Sequence, residues 1–333
     1  MAAKERQCPG IIYYPLRFLC AVLGIVLALM VAFTVYVESL LGNITRFEDV
    51  ADTLSQAQID QILQEDPVIE DLELPEGYAE PIEREAHIIN ILLIGQDRRG
   101  TNQRERSDAM ILCTVNTREK TLVMTSFLRD MYVKFPSYDG KSYGSNRINA
   151  TYPIGGMEML DECLAMNFGV DVDYNVEVDF SGFEKIVDLM GGLDIELTKA
   201  EADWIGNGLK EGVNHLDGKN ALEYARIRKL DSDFGRTSRQ RTVLMAMLEK
   251  SKTLSIGELI ELVNGVLPLI TTDMSNRDMI RCGFRMLPVL SGLEVSNQHI
   301  PAEGHYESKR IDGMAVLVPD FEANIQILKD TIG

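Results

Sequence analysis

The chain predicts an α/β protein: a single layered domain with a mixed central sheet flanked by helices, preceded by one transmembrane helix. Three observations carry this prediction. From residue 87 onward, apolar β-prone runs of strand length alternate with helix-length segments, the pattern of a layered α/β domain. Residues 18–37 are twenty positions without a charge, enough to cross a bilayer core as a helix. Residues 38–86 are rich in acids and interrupted by Pro67, Pro75, Gly77 and Pro81. They read as an extended, self-repelling stalk in which 45–63 form a short helix.

The expected boundaries follow. Residues 1–17 are a short cytoplasmic end, 18–37 the anchor, 38–86 the stalk and 87–333 the folded domain. Lys4, Arg6 and Arg17 precede the uncharged run, whereas Glu38, Glu48, Asp49 and Asp52 follow it. That asymmetry places the N-terminus in the cytoplasm and the rest outside, as a single-pass protein of the cell membrane. The run is too long for a signal-peptide core and no Ala-x-Ala follows Val37, so the anchor is expected to stay uncleaved. Within the domain, strands are predicted at 88–94, 109–115, 121–128, 174–180, 193–197 and 293–300. Helices are predicted at 155–168, 181–190, 217–226, 237–253, from Ser255, at 275–287 and at 319–332. Ser181-x-x-Glu184 and Ser255-x-x-Glu258 mark two helix starts as capping boxes. Cys113, Cys163 and Cys282 are widely spaced and expected to be buried free thiols.

Charge singles out one segment. The formal net charge is −18, yet residues 226–241 gather five arginines and Lys229. Guanidinium forks match phosphate oxygens bidentately, so this cluster predicts a phosphate or pyrophosphate clamp. A solvated, salt-bridged helix face is the competing reading. The interleaved Asp231 and Asp233 would keep the arginines from repelling one another, or hold a metal.

A second constellation lies upstream. Asp97 ends the first strand, a loop with Arg98, Arg99, Arg104 and Arg106 follows, and Asp108 precedes the second strand. The third strand runs out into Arg129-Asp130, and Arg147 comes just before a Gly155-Gly156 turn. Charged residues at strand ends mark the ligand crevice of open α/β sheets. Carboxylates separated by bases suit a hard cation such as Mg²⁺, or Mn²⁺, with arginines taking the remaining phosphate charge. Each Asp at a strand end also has the simpler reading of a turn residue. There is no Walker loop, no His-Glu-x-x-His and no Gly-x-Ser-x-Gly elbow. An acidic domain without a recognition helix, placed outside the membrane, excludes nucleic acid as a partner.

The motifs occur together in a recognisable order. They are Gly-x-Asp97, Arg106-Ser-Asp108, Ser126-Phe-Leu-Arg129-Asp130, Arg147-Ile-Asn-Ala, Gly182-Phe, Asp188-x-x-Gly-Gly192 and Tyr224-x-Arg-x-Arg. The last continues into Asp-x-Asp-x-Gly-Arg236 and Arg239-Gln240. From about residue 88 to 250 the chain resembles the LytR-CpsA-Psr (LCP) proteins of bacterial cell walls. Arg147 stands where the family often has Lys, and Phe127-Leu128 replaces the more usual Ile-Pro.

The resemblance implies a phosphotransferase outside the membrane. It would move a glycopolymer, such as teichoic acid or capsule, from a polyprenyl-pyrophosphate carrier to peptidoglycan. By position, Asp97 and Asp108 would be Mg²⁺ ligands. Arg106, Arg129, Arg147, Arg226, Arg228, Arg236, Arg239 and Gln240 would bind pyrophosphate. Asp97 or Asp130 would take the acceptor proton, with Arg129 beside them, and the choice between the two acids stays open. Leu244, Met245, Met247 and Leu248 would line a groove for the lipid tail, or simply be core. Two alternatives remain: a polyprenyl-pyrophosphate binding or hydrolysing protein without wall ligation, and a membrane-bound regulator.

Overall fold

Strand direction decides where the charged residues gather. The computed structural model describes residues 36–47, 54–64, 79–98, 104–231, 233–290, 292–311 and 314–333. Its central sheet holds β1 (Thr45–Arg46), β2 (Ile88–Gln96), β3 (Ser107–Asn116) and β4 (Thr121–Phe127). Further along the chain it adds β7 (Tyr174–Asp179), β10 (Ile270–Thr272) and β11 (Glu294–Ile300), in the order β1-β10-β7-β2-β3-β4-β11. β2 is parallel to β7 and antiparallel to β3; β3 is antiparallel to β4, and β4 is parallel to β11. The carboxyl ends of β2, β4, β7 and β11 and the amino end of β3 therefore share one edge. Three short ribbons lie outside this sheet: β5 (Tyr132–Lys134) with β6 (Ser145–Arg147), β8 (Leu193–Leu197) with β9 (Gly212–Leu216), and β12 (Tyr306–Ile311) with β13 (Met314–Pro319). The predicted strand at 193–197 thus exists, but in its own ribbon.

The helices, in order, are α1 (Gln56–Gln64), α2 (Thr151–Phe168), α3 (Phe180–Leu189), α4 (Lys199–Ile205) and α5 (Gly218–Ala225). They continue with α6 (Asp233–Lys252), α7 (Ile256–Val266), α8 (Asn276–Met286) and α9 (Phe321–Ile332). Strand pleating sends Leu92, Ile94, Met110 and Leu112 to one face of the sheet, where Leu160, Leu164 and Phe168 of α2 and Leu328 of α9 complete the main core. Leu93, Ile111, Val176 and Val178 point the other way, toward α3, α5 and α6. A second apolar cluster joins the β8–β9 ribbon to those helices through Val187, Leu193, Ile195, Leu216, Ala221 and Val243.

Two local details differ from the expected pattern. α3 is capped by Asp179, whose Oδ1 accepts from the Gly182 amide at 2.7 Å, and not by Ser181. The carboxylate two residues earlier in the chain reaches the free amides of the first turn. The capping box at Ser255 and Glu258 forms as expected. Part of the stretch read as a stalk packs on the domain. β1 pairs with β10, and α1 buries Ile59 in the main core with Leu54, Ile62 and Leu63 against it. Ile59, Ile62 and Leu63 form a short i, i+3, i+4 stripe, and that stripe is what docks.

Residues 44–333 form one unit. The N-terminal unit ends at Asn43, and its residues 36–41 are helical. The anchor read at 18–37 lies, except for its last two residues, outside the described residues. Among the described residues no helix is long and apolar enough to cross a membrane. Cys113, Cys163 and Cys282 are free thiols.

α2 ends on Gly169 at φ +70°, and a Cβ there would lie 2.2 Å from the Glu80 carbonyl oxygen. Left-handed backbone costs a residue with a side chain roughly 1–2 kcal/mol, and the clash adds to this. Gly169→Ala is expected to lower unfolding free energy by at least about 1 kcal/mol in a denaturant titration. A midpoint equal to wild type would show that the 79–82 segment does not hold this close approach.

Candidate active site

The site begins with an irregularity in the sheet. Gly95 pairs with Ala109 and Gln96 with Ser107, so Asp108 has no residue opposite it. This β-bulge re-aims the Asp108 side chain at the sheet edge. There its Oδ1 accepts from Arg129 Nη1 at 2.7 Å and from Arg228 Nη2 at 3.0 Å. Arg129 leaves the end of β4, and its Nε lies 3.6 Å from Asp130 and 3.7 Å from Asp233. Asp130 is also 3.4 Å from Arg147 Nη1, and Asp233 is 2.7 Å from Arg236 Nη2. Asp97, at the end of β2, faces Arg226 at 3.6 Å. The Arg226 guanidinium stacks 4.5 Å from the centre of the Phe180 ring.

Acids and bases therefore alternate. The structure brings together Asp97, Asp108, Arg129, Asp130, Arg147, Arg226, Arg228 and Arg236, and adds Asp233. The three carboxylates around Arg129 raise its pKa against the opposing effect of burial, while burial raises that of Asp233. Asp231 and Asp233 act as counter-charges. Gly235 makes room for this arrangement, because a Cβ there would fall 2.2 Å from the Asp231 carboxylate.

Arg236 and Arg239 sit one turn apart on α6 but serve differently. Arg239 donates from Nε to Glu201 Oε1 at 2.7 Å and from Nη1 to the Ile227 carbonyl at 3.2 Å, and it also pairs with Asp231. It fastens α6 to α4 and to the loop that carries Arg226 and Arg228. Arg236 is only 1 % exposed, and none of its Nε, Nη1 or Nη2 makes an aligned hydrogen bond. Burial lowers its pKa to about 10, with Asp233 acting upward and Arg129 and Arg228 downward. It is still a cation at neutral pH. A buried charge with unused donors is expensive unless an anion meets it.

Two cavities meet at this network. An apolar groove of about 300 Å³ runs between the second sheet face and α3, α5 and α6. Val176, Val178, Phe183 and Leu222 line it, and Asp108, Arg228, Arg236 and Gln240 close its charged end. Leu244 and Met247 reach this groove, whereas Met245 and Leu248 are not among its walls. A polar cavity of about 530 Å³ lies on the other side, bordered by Asp97, Arg106, Asp108 and Arg129. Arg106 also donates from Nη2 to the Ile62 carbonyl of α1 at 3.3 Å. Asp97 and Asp108 share this cavity, and among the described residues no group of three or more His, Cys, Asp or Glu is placed to hold a metal. Two carboxylates fit Mg²⁺ bound in its usual way, with water and phosphate oxygens completing the shell.

Comparison with known proteins bears on this arrangement. Residues 48–331 match the LytR_cpsA_psr family. The chain belongs to the LytR-CpsA-Psr family. Regulatory protein MsrR of Staphylococcus aureus is 31% identical over 250 residues, 73% of each chain. The polyisoprenyl-teichoic acid–peptidoglycan teichoic acid transferase TagU of Bacillus cereus is 32% identical over 229 residues, 68% of this chain and 72% of that one. The crystal structure of B. subtilis TagT superposes with a TM-score of 0.60 at 26% identity, covering 78% of this chain and 97% of TagT. TagT bound to LIIa-WTA gives 0.61 with the same identity and coverage.

Sequence reasoning left several contributors unassigned. Asn149 stands inside a quoted motif and was legible only as a polar residue next to an assigned one, whereas Asp233 is a counter-charge as expected. Arg241, which donates from Nη1 to Ser126 Oγ at 2.8 Å, was legible only as part of the arginine cluster. The apolar groove walls come from eight separate elements and share no local signal.

The contrast between the two arginines can be measured. Arg236→Met is expected to lower the melting temperature less than Arg239→Met, because Asp233 keeps Arg129 at 3.7 Å, while weakening inorganic pyrophosphate binding at least about tenfold, since a charged hydrogen bond is worth roughly 1.5–3 kcal/mol. Arg239→Met is expected to cost about 3–5 kcal/mol of stability, because Glu201 keeps a buried charge without its partner. Thermal melts and calorimetry on both variants check this. Equal stability loss in the two would contradict the division of labour.

Proposed function

We propose that this LytR-CpsA-Psr protein is an anchored phosphotransferase whose domain lies outside the membrane. It transfers a glycopolymer from a polyprenyl-pyrophosphate carrier to peptidoglycan. The observation that carries the reading is Arg236, a buried cation with unused donors at the junction of an apolar groove and a polar cavity. An isoprenoid pyrophosphate matches that junction, its tail in the groove and its charged oxygens at the groove's polar end. The named activity of TagU and the LIIa-WTA ligand of TagT support extending this substrate class to the present chain.

The chemistry needs positioning and charge stabilisation more than a covalent nucleophile. The groove takes the isoprenoid and excludes water. Arg228, Arg236 and Gln240 at its charged end take the pyrophosphate oxygens next to the lipid. Arg129 and Arg147 face the phosphoryl group that moves, and Arg106 meets its oxygens from the polar cavity. Arg226 holds Asp97 in place from the Phe180 ring, and Arg239 braces the loop behind it. Asp97 and Asp108 would hold Mg²⁺, which when bound neutralises phosphate charge and orients the pyrophosphate. Asp97 or Asp130 takes the proton of the attacking hydroxyl. As donor oxygens approach, the arginines exchange their carboxylate partners for phosphate, so little reorganisation is needed at the moment of reaction.

Arg129→Ala and Arg228→Ala are each expected to lower turnover roughly 10²–10³-fold, the usual effect of removing one donor that stabilises transition-state charge. Arg118→Ala, on the exposed β3–β4 turn, serves as the control. Similar activity in all three folded variants would refute the clamp. Product analysis settles the acceptor: polymer covalently on peptidoglycan supports transfer, whereas free lipid phosphate alone would mean hydrolysis.

Chelator is expected to abolish activity and Mg²⁺ or Mn²⁺ to restore it, with Asp108→Asn requiring more metal. Full turnover in excess chelator would remove the metal from the mechanism while leaving the arginine clamp intact.

A further inference from the structure

The polar cavity has a wall that the catalytic motifs do not supply. α1, which belongs to the stretch before the family's charged motifs, contributes Gln58 and Gln61 to it, and the start of α2 contributes Pro153. Asn149 faces the same space from the short turn before α2. It is 3 % exposed and its Oδ1 makes no hydrogen bond. A buried amide oxygen without a donor costs about 1–3 kcal/mol, which a hydroxyl from a ligand in the cavity would offset. Glu105 and Arg106 add an acceptor and donors on the same wall. Amides and charged groups interleaved with the apolar surfaces of Leu54, Ile62 and Pro153 suit a saccharide, which offers hydroxyl groups at its edges and C–H groups on its faces.

Direction of attack adds a second, independent argument. Displacement at phosphorus is in line, so the entering and leaving oxygens lie on opposite sides. With the isoprenoid in the apolar groove, the leaving lipid phosphate lies toward Arg236. The entering hydroxyl must then come from the far side of Asp108 and Arg129, and that side is the polar cavity.

We propose that this cavity seats the acceptor saccharide and that α1, through Gln61 and Gln58, and Asn149 determine which saccharide is accepted. The inference rests on the transferase reading above. In the step it serves, the acceptor hydroxyl oxygen forms a bond to the phosphorus that carries the glycopolymer. The bond from that phosphorus to the bridging oxygen breaks, and polyprenyl phosphate departs with the electron pair. The hydroxyl proton passes to a carboxylate of the site and then to water. Gln61 and Asn149 are specificity residues that touch the acceptor without taking part in bond making.

The test uses the full chain in detergent, a short-chain polyprenyl-pyrophosphate glycan as donor and uncrosslinked peptidoglycan glycan strands as acceptor. KM is measured for each substrate with the other saturating. Gln61→Ala changes an exposed side chain and leaves the core untouched. It is expected to raise the acceptor KM about two- to tenfold, the value of one lost hydrogen bond, while the donor KM moves less than twofold. Asn149→Ala is expected to act in the same direction, and Arg118→Ala to move neither constant. A rise in donor KM with the acceptor KM unchanged would assign the cavity to the donor glycan and overturn the inference. So would a Gln61→Ala enzyme with wild-type constants for both substrates. If the unaltered chain releases lipid phosphate but never links polymer to the strands, the transferase reading itself fails, and the two failures are thereby separate.

Discussion

Like charges crowded at one sheet edge are the constraint that the rest of this structure serves. Two unit charges about 4 Å apart repel by roughly 4 kcal/mol at the effective dielectric of a protein surface. Five arginines at one edge would be untenable without counter-charges. The chain answers with interleaved carboxylates: Asp108, Asp130 and Asp233 each meet two arginines, and Asp97 faces Arg226. Three of the four come from ends of different strands, and the fourth opens α6. The mixed sheet is what makes this possible, because β2, β4 and β7 deliver their carboxyl ends to the edge where β3 begins. The −18 charge of the whole chain has a similar meaning: the surplus of acid is general, and the surplus of base is local.

The network also divides the surroundings. On one side the second sheet face and α6 leave apolar side chains around a groove; on the other, α1, Asn149 and the 104–106 segment leave polar ones. An isoprenoid pyrophosphate finds its tail and its charged head matched in order along one line, and the polar side is left for the incoming saccharide. Arg239 keeps the division rigid. Paired with Glu201 and Asp231, it fixes the loop of Arg226 and Arg228 against α4, so that charged side chains near solvent are supported by one that is buried.

Much of this was legible in the sequence, for identifiable reasons. Asp97, Asp108 and Arg129 stand out because each directly abuts an apolar run, and a strand end is a position that periodicity locates. The arginines at 226–241 stand out against an acidic background. What periodicity does not carry is direction in space. Arg236 and Arg239 look equivalent in sequence, yet one faces the groove and the other faces Glu201, thirty-eight residues earlier on a different helix. β1 and β10 are two and three residues long, too short to show alternation, and β1 is recognised only through its pairing. α1 hides its apolar stripe among acids and glutamines. The lipid carrier and the wall acceptor came from family resemblance; residue chemistry alone reaches only an anion clamp with room for a cation.

The bulge at Asp108 has a consequence for how such a protein can diversify. The position of its carboxylate is set by the ladder that follows it, from Ala109 paired with Gly95 onward, and not by the loop before it. The stretch between Arg98 and Arg104 can therefore change length without displacing the charged centre. Arg104, Glu105 and Arg106, which follow it, border the polar cavity. One extra residue in a strand thus uncouples reaction from recognition: the chemistry is anchored to the sheet, while the shape offered to the incoming partner is free to drift.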